Sequence, residues 1–128
     1  MNLFGRSDIW FHDSLYMKRW KLISLRLFGI RVHHILRSDA DRELHDHPFD
    51  FISVILSGSY TEYLADGTVT TYKAGSILFR RAETLHRLEL SAPVWTFVIR
   101  GRIRREWGFM TYSGWIHWTT FNKIRGYV

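Results

Sequence analysis

The chain has 128 residues, of which 46% are hydrophobic and 16% aromatic, and this fits one compact domain with a single core. It contains no cysteine, so disulfides and thiolate metal sites are excluded, and the cytoplasm is the expected compartment. The longest apolar run is too short for a membrane span and the N-terminus lacks a signal-peptide pattern, so neither membrane insertion nor secretion is expected.

The chain is basic, with a formal net charge of +6. Arginine supplies 14 of the 18 basic residues, and because guanidinium groups bind carboxylates and phosphates well, an anionic partner is compatible with this composition. In the run 100–105, Arg100, Arg102 and Arg104 would share one face of a strand and form a solvated surface or an oligomer contact. No DNA-binding or RNA-binding signature accompanies the charge, so nucleic-acid binding is not expected.

The predicted elements are almost all strands. Residues 1–18 are expected to be irregular or to form a lid, and 20–28 fits both a helix and a strand, with a strand favoured. An Asp-Gly pair at 66–67 predicts an antiparallel hairpin. The other predicted strands follow turn residues and lie at 31–36, 51–57, 59–64, 68–73, 76–81, 84–90, 94–105 and 108–118. Short strands separated by turns predict an all-β sandwich or barrel.

Two histidines stand two residues apart in the stretch LHDHPFDF, at the entrance of the apolar run FISVIL. Strand side chains alternate, so His45 and His47 point the same way and Asp46 points to the opposite face. His86 lies across two turns from Gly75, so its strand can run antiparallel to theirs. Three neutral imidazoles that meet inside a barrel would bind a divalent transition metal. The alternative is that they are barrel-mouth residues with no metal.

These positions resemble the two motifs of the cupin superfamily, which are roughly G-x5-H-x-H-x3,4-E-x6-G and G-x5-P-x-G-x2-H-x3-N. His45, His47 and Gly58 match the first motif, and Gly75 and His86 match the ends of the second at its full spacing. The resemblance covers about residues 30–110. It implies an all-β, RmlC-like fold with one double-stranded β-helix, or jelly-roll, barrel.

The resemblance also gives the expected domain organisation. One cupin-like domain spans residues 1–128, with its barrel core at about 20–118 and with residues 1–19 packing on the barrel or dimerising. Many cupins pair as dimers, and the strand edges of a small barrel give such pairing a physical reason, so a homodimer is expected.

The usual glutamate ligand of the first motif is missing, because its position falls on Phe51. Asp50 points away from the histidines by strand parity unless a bulge turns it inward, so it is a possible ligand or a residue that orients a histidine. A site of three histidines resembles cysteine-dioxygenase-type cupins, which hold Fe(II). The resemblance therefore implies a mononuclear non-haem Fe(II) oxygenase, with zinc, nickel or manganese as alternative metals.

With no carboxylate ligand the metal keeps its full charge, so the substrate is expected to be a small anionic metabolite or side chain. The candidate clamps for its charge are Arg26, Arg31 and Arg81, and either His33 or His34 faces the interior.

Two other functions stay open at this stage. One is a non-enzymatic binding or assembly module on a cupin scaffold. The other is a metal-free sugar-nucleotide epimerase, which would need a tyrosine acid and a histidine base, His86 or His47, paired with a carboxylate such as Asp50.

Overall fold

The computed structural model describes residues 5–11, 14–38 and 43–125, and these ranges contain twelve strands and one helix. In chain order they are β1 (Gly5–Phe11), β2 (Ser14–Ser24), β3 (Gly29–Ile35), β4 (Leu44–His45), β5 (Phe51–Ser57), β6 (Ser59–Leu64), β7 (Val69–Lys73), β8 (Ile77–Arg80), β9 (His86–Glu89), β10 (Val94–Arg100), β11 (Gly108–Thr111), β12 (Gly114–His117) and α1 (Trp118–Arg125). Within these ranges no helix is long and apolar enough to cross a membrane.

The strands form two six-stranded antiparallel sheets. The first sheet has the order β1-β2-β3-β10-β5-β8, and the second has the order β12-β11-β4-β9-β6-β7. The hairpin predicted at the Asp-Gly pair is present, since β6 and β7 pair antiparallel from Ser59 opposite Lys73 to Tyr63 opposite Val69. The prediction of an all-β chain is confirmed, and α1 is an addition that the sequence analysis did not predict.

The apolar core is made of two buried clusters that share neighbours. One cluster contains Ile55, Tyr60, Leu78 and Val94, and the other contains Tyr16, Met17 and Ile35. Leu88 and Leu90 on and beside β9 pack against both clusters, so the core is continuous between the two sheets. Burial alternates along the strands as a half-buried sheet requires, for instance in β10, where every second residue from Val94 to Arg100 is buried.

The prediction that residues 1–18 are irregular or form a lid is wrong for the part of this segment that the structure describes. β1 pairs with β2 from Gly5 opposite Lys21 onward, and β2 pairs in turn with β3. Tyr16 is buried in the core of its own chain, at 7% exposure. A register shift between Ile9 and Trp10 breaks the alternation of the first strand, which hides it in the sequence. The homodimer stays a prediction.

The prediction that Arg100, Arg102 and Arg104 share one strand face is also wrong. β10 ends at Arg100, and the chain leaves the sheet there. The backbone N–H of Gly101 donates to the carbonyl oxygen of Asp50 at 2.7 Å, outside the ladder. The basic run therefore continues as irregular structure across the turn that follows the two histidines.

The arginines of this run make internal contacts. Arg100 is 3% exposed, and its guanidinium donates to the carbonyl oxygen of Leu25 at 2.9 Å. Arg104 forms ion pairs with Asp50 at 2.8 Å and Glu83 at 2.6 Å. The hydrogen bonds from Arg104 lower the pKa of Glu83 to about 2, so this pairing persists over the neutral range. Arg100 and Arg104 thus join the loops that hold Leu25, Asp50 and Glu83, while Arg102 and Ile103 are exposed to solvent.

Asp46, between the two histidines, binds three groups from the chain segment 105–115. It is 3% exposed, and its carboxylate accepts hydrogen bonds from the backbone N–H of Gly108 at 2.7 Å and the indole N–H of Trp115 at 2.9 Å. Arg105 forms an ion pair with the same carboxylate at 3.0 Å. Because Asp46 is fixed on one face of the strand, the histidines on either side of it are turned to the other face.

A methyl group at Gly108 should disturb the contacts that Asp46 makes with this segment. The Cβ of Gly108→Ala would overlap the backbone carbonyl oxygen of Ile116 on the paired strand. We expect the free energy of unfolding to fall by about 1–3 kcal/mol in urea denaturation, as in other overpacked sites. The matched control is Gly101→Ala, whose Cβ would meet only the carbonyl oxygen of Asp50, at 3.5 Å, and which should lose less than about 0.5 kcal/mol. Equal losses in the two variants would contradict this account.

Candidate metal centre

The structure brings the three predicted histidines together. His45 on β4 lies directly opposite His86 on β9 in an antiparallel pair, and His47 follows two residues after His45. The three ring centroids are 4.8–5.1 Å apart, and the rings are nearly perpendicular to one another, at 67–81°. One ring nitrogen of each histidine lies within 4.8 Å of the other two. We call these residues the histidine cluster.

The donor set of the histidine cluster fits a divalent transition metal. Burial, followed by the neighbouring His86 and His45, holds the pKa of His47 well below its usual range, so this imidazole is neutral, which is the form that binds metals. The Nδ1 atom of His47 is buried and has no hydrogen-bond partner. Metal–nitrogen bonds are about 2.0–2.1 Å long, and three nitrogens that all lie within 4.8 Å of one another are close enough to share one ion.

Glu62 on β6 is a site residue that the sequence analysis missed. Its side chain is 2% exposed, and its Oε2 lies 2.6 Å from the Nδ1 of His86. Arg80 donates to the same carboxylate, with its Nε 3.0 Å from Oε2. Burial by itself would raise the pKa of Glu62, but the hydrogen bonds from His86 and Arg80 lower it to about 2. The ionised Glu62 accepts a hydrogen bond from the Nδ1–H of His86, which leaves the Nε2 of His86 for a metal.

Glu62 reaches His86 because of the strand register. β6 pairs with β9 with Leu64 opposite His86, so Glu62, two residues earlier on the same face, is the diagonal neighbour of the histidine. Its inward direction was readable in the stretch SYTEYL, since period two places it on the same face as the buried Tyr60. The register of β6 against β9 was not readable, because no turn joins these two strands.

Asp50, the possible fourth ligand, lies outside the histidine cluster. In the described part of the chain, the group with metal-ligand spacing consists of the three histidines alone. The Oδ1 of Asp50 accepts hydrogen bonds from the backbone N–H of Ala82 at 2.7 Å and from Arg104 at 2.8 Å. These two bonds, in that order of importance, lower the pKa of Asp50. Asp50 therefore holds together the loops that follow His47 and precede His86.

The histidine cluster opens into a cavity of about 880 Å³. Aromatic side chains form much of its wall, namely Phe49, Phe51, Trp107, Phe109 and Trp118. Phe51, which occupies the place of the usual glutamate ligand, packs edge-on against His47 with 4.7 Å between ring centroids. Trp107 and Trp118 stack on each other, with 5.8 Å between ring centroids, and both line this cavity. Cavities of this size and lining bind small organic molecules.

The remaining histidines take different places. His33 is the one that faces inward, and it lines the cavity. His34 stacks on Trp95 on the outer side of the same sheet, at 4.0 Å between ring centroids. His117 lies 2.8 Å from Glu106. His12 lies outside the described residues.

The three arginines that could bind the charge of a substrate lie in different places. Arg31 lines the cavity, and its guanidinium carbon lies 5.3 Å from the ring centroid of Phe49. Arg26 is exposed in the turn after β2. Arg81 is 71% exposed and lies 3.9 Å from Glu83. Only Arg31 of these three is placed to meet a molecule in the cavity.

Neither family models nor curated proteins match this sequence. Several solved structures, in contrast, resemble the structure of this chain. An Fe(II) HppE structure has a TM-score of 0.65 and 10% identity, covering 76% of this chain and 56% of that chain. An RmlC-like cupin from Shewanella frigidimarina has a TM-score of 0.61 and 17% identity, covering 80% and 86%. A Klebsiella pneumoniae protein with a double-stranded β-helix domain has a TM-score of 0.59 and 19% identity, covering 73% and 84%.

At these identities the likeness shows the fold alone. The chain has the RmlC-like cupin fold, a double-stranded β-helix made of two antiparallel sheets, and it carries a three-histidine cluster that could hold a metal. The jelly-roll prediction is thereby confirmed. The chain spans little more than half the length of the Fe(II) HppE chain that it resembles.

Glu62→Gln should weaken metal binding. The amide keeps the size of the side chain but removes the charge that orients the ring of His86. Loss of such an outer hydrogen bond usually costs about 10–100-fold in metal affinity. We expect this increase in the zinc dissociation constant, measured by competition with a chromophoric chelator. The matched control is Glu89→Gln, an exposed glutamate on β9 that bonds Tyr63 and should bind zinc like the parent protein. Unchanged affinity in Glu62→Gln would contradict the assigned role.

Proposed function

We propose that this protein is a mononuclear non-haem Fe(II) oxygenase that acts on a small anionic metabolite or on an amino-acid side chain. The observation that carries the proposal is the histidine cluster, three imidazole nitrogen donors that open into a cavity large enough for an organic substrate. Zinc, nickel and manganese would fit the same donors. Fe(II) is favoured because a three-histidine set leaves coordination positions for both O2 and substrate.

The residues around the cluster have separable roles in this proposal. His45, His47 and His86 would hold the metal, and Glu62 fixes the ring of His86 while Arg80 holds Glu62 in place. Bound there, Fe(II) would supply the open positions and the redox chemistry that O2 activation requires. The donors carry no charge, so the site keeps the metal's full positive charge and attracts an anion.

The cavity wall would contact the apolar part of the substrate. Its aromatic side chains exclude water and offer apolar surface to the body of a bound molecule. Phe51 stands beside His47 where a carboxylate ligand would otherwise stand, so the wall is apolar up to the metal position. The Fe(II) in the name of the HppE structure supports iron as an occupant of this fold, and at 10% identity it supports nothing finer.

One observation favours a second candidate, the metal-free epimerase. The buried pair of His86 and Glu62 is a histidine base with its carboxylate, and Tyr60 lines the same cavity. This pair replaces the one with Asp50 that the sequence suggested, because Asp50 is bound to Arg104. Burial and then the charge of Glu62 raise the pKa of Tyr60 to about 12, so this tyrosine keeps its proton. Metal dependence separates this candidate from the oxygenase.

Nitric oxide tests whether the site is open for chemistry. We expect anaerobic, Fe(II)-loaded protein to give the electron paramagnetic resonance signal of a high-spin iron–nitrosyl complex. His47→Ala should lose this signal, while His117→Ala, which removes a histidine bonded to Glu106, should keep it. Protein that contains iron but gives no nitrosyl signal would instead be a binding or assembly module whose metal has no open coordination position. Catalysis that persists in chelator-treated protein would favour the epimerase.

A further inference from the structure

A second group of polar residues lines the cavity and takes no part in the histidine cluster. Arg19 on β2 lies directly opposite His33 on β3, and Arg31 precedes His33 by two residues. Because side chains of a strand alternate, Arg31 and His33 point to the same face, and both line the cavity together with Arg19. We call Arg19, Arg31 and His33 the cationic wall.

Two nitrogens of the cationic wall have no hydrogen-bond partner in the described part of the chain. The Nε of Arg19 and the Nε2 of His33 are buried and have no hydrogen-bond partner. In the described ranges, no carboxylate lies within ion-pair distance of Arg19, and the contact made by the guanidinium of Arg31 is the ring of Phe49. Other arginines of this barrel are paired, such as Arg80 with Glu62. A half-buried guanidinium with no carboxylate partner carries a desolvation cost, which an anion bound in the cavity would offset.

The electrostatics agree with this geometry. Burial, and then the nearby charges of Arg19 and Arg100, lower the pKa of Arg31 to about 10, so it still carries its charge at neutral pH. Burial and then the two arginines keep His33 neutral by lowering its pKa well below the usual range. Like charges held together in a cavity repel one another, and a bound anion would relieve that repulsion.

Two acidic residues also line the cavity and have contacts of their own. Asp8 pairs with Arg6, with 3.2 Å between the Nε and Oδ1 atoms, and Glu43 also makes contacts within the protein. Two arginines and two carboxylates therefore line the same cavity, with the positive charges grouped on the adjacent strands β2 and β3.

An aromatic surface connects the cationic wall to the histidine cluster. Phe49 contacts Arg31, at 5.3 Å from the guanidinium carbon, and His47, at 6.4 Å between ring centroids. Phe49 and Phe51 lie edge to face at 6.4 Å, and Phe51 packs against His47. A molecule that reaches from the cationic wall to the histidines would lie along these rings, so its middle part should be apolar.

We infer that the cationic wall binds the oxyanion head group of the substrate, a carboxylate or a phosphonate, while an apolar body lies along Phe49 and Phe51 towards the histidine cluster. The guanidinium groups supply charge and paired N–H donors, and neutral His33 supplies one further N–H. The inference deepens the proposed function and rests on it for the reacting end of the substrate. The head-group site itself needs no metal.

Anion binding to chelator-treated protein tests the inference. The probes are phenylacetate and phenylphosphonate, with phenylacetamide as the neutral match, and the measurement is isothermal titration calorimetry. We expect saturable binding of an anion and none of the amide. Arg31→Gln and Arg19→Gln should each weaken anion binding at least about 10-fold, as expected for loss of a charge-assisted hydrogen bond. Arg26→Gln, an exposed arginine of the same region, should bind like the parent protein.

The comparison of the two anions identifies the head group, since the tighter one has the preferred chemistry. No saturable binding of either anion, or parent-like affinity in both cavity variants, would overturn the inference. Thermal unfolding separates binding from folding, because loss of an unpaired buried charge should leave the midpoint of Arg31→Gln at or above that of the parent protein. A clear drop in the midpoint, relative to Arg26→Gln, would assign Arg31 a structural role and also overturn it.

Metal content makes the two proposals distinguishable. The arginine variants should hold as much zinc or iron as the parent protein, because the cationic wall contains none of the three metal-binding histidines. Arginine-dependent anion binding in a protein that never takes up metal would keep the cationic wall and refute the oxygenase. Metal uptake with no arginine-dependent anion binding would refute the cationic wall and leave the oxygenase standing.

Discussion

The site depends on the placement of β4, a strand of two residues. It lies between β11 and β9, and this position puts His45 directly opposite His86. A strand of two residues makes few ladder hydrogen bonds, so β4 needs further hydrogen bonds from outside the ladder. The backbone N–H of Asp46 donates to Gly108 at 3.1 Å, and that of His47 donates to Ala82 at 2.9 Å. These bonds fix the register, and the register decides which face of the strand each side chain takes.

The cavity holds two kinds of buried charge. The carboxylate of Glu62 is neutralised within the protein, because Arg80 and His86 both donate to it, and this pairing makes its burial tolerable. Arg19 and Arg31 have no comparable carboxylate partner in the described part of the chain. The first arrangement stabilises the fold and orients a ligand for metal. The two arginines without carboxylate partners lower the stability of the free protein, and such a loss of stability is characteristic of ligand-binding sites.

Local patterns in the sequence predicted the fold class and the histidine cluster, because both depend on strand alternation and on spacing between turns. The pairing of Glu62 with His86 depends on register between strands that no turn connects, which the sequence does not state. The segment 1–18 was misjudged because a bulge interrupts its alternation. The face predicted for the run 100–105 failed because loop hydrogen bonds after Arg100 outweigh local strand preference. Non-local contacts thus decided the misses at Glu62 and at the run 100–105, and a local irregularity of the strand decided the miss at 1–18.

Elemental analysis of untagged protein, beside a His86→Ala variant, measures whether the histidine cluster holds a metal. We expect near-stoichiometric metal in the parent protein, with iron as the favoured element, and loss of that metal in the variant. Zinc or nickel lost in the same way would keep the three-histidine site and weaken the oxygenase proposal. The same negligible metal content in both proteins, even after anaerobic addition of Fe(II), would contradict the claim that the histidine cluster is a metal centre.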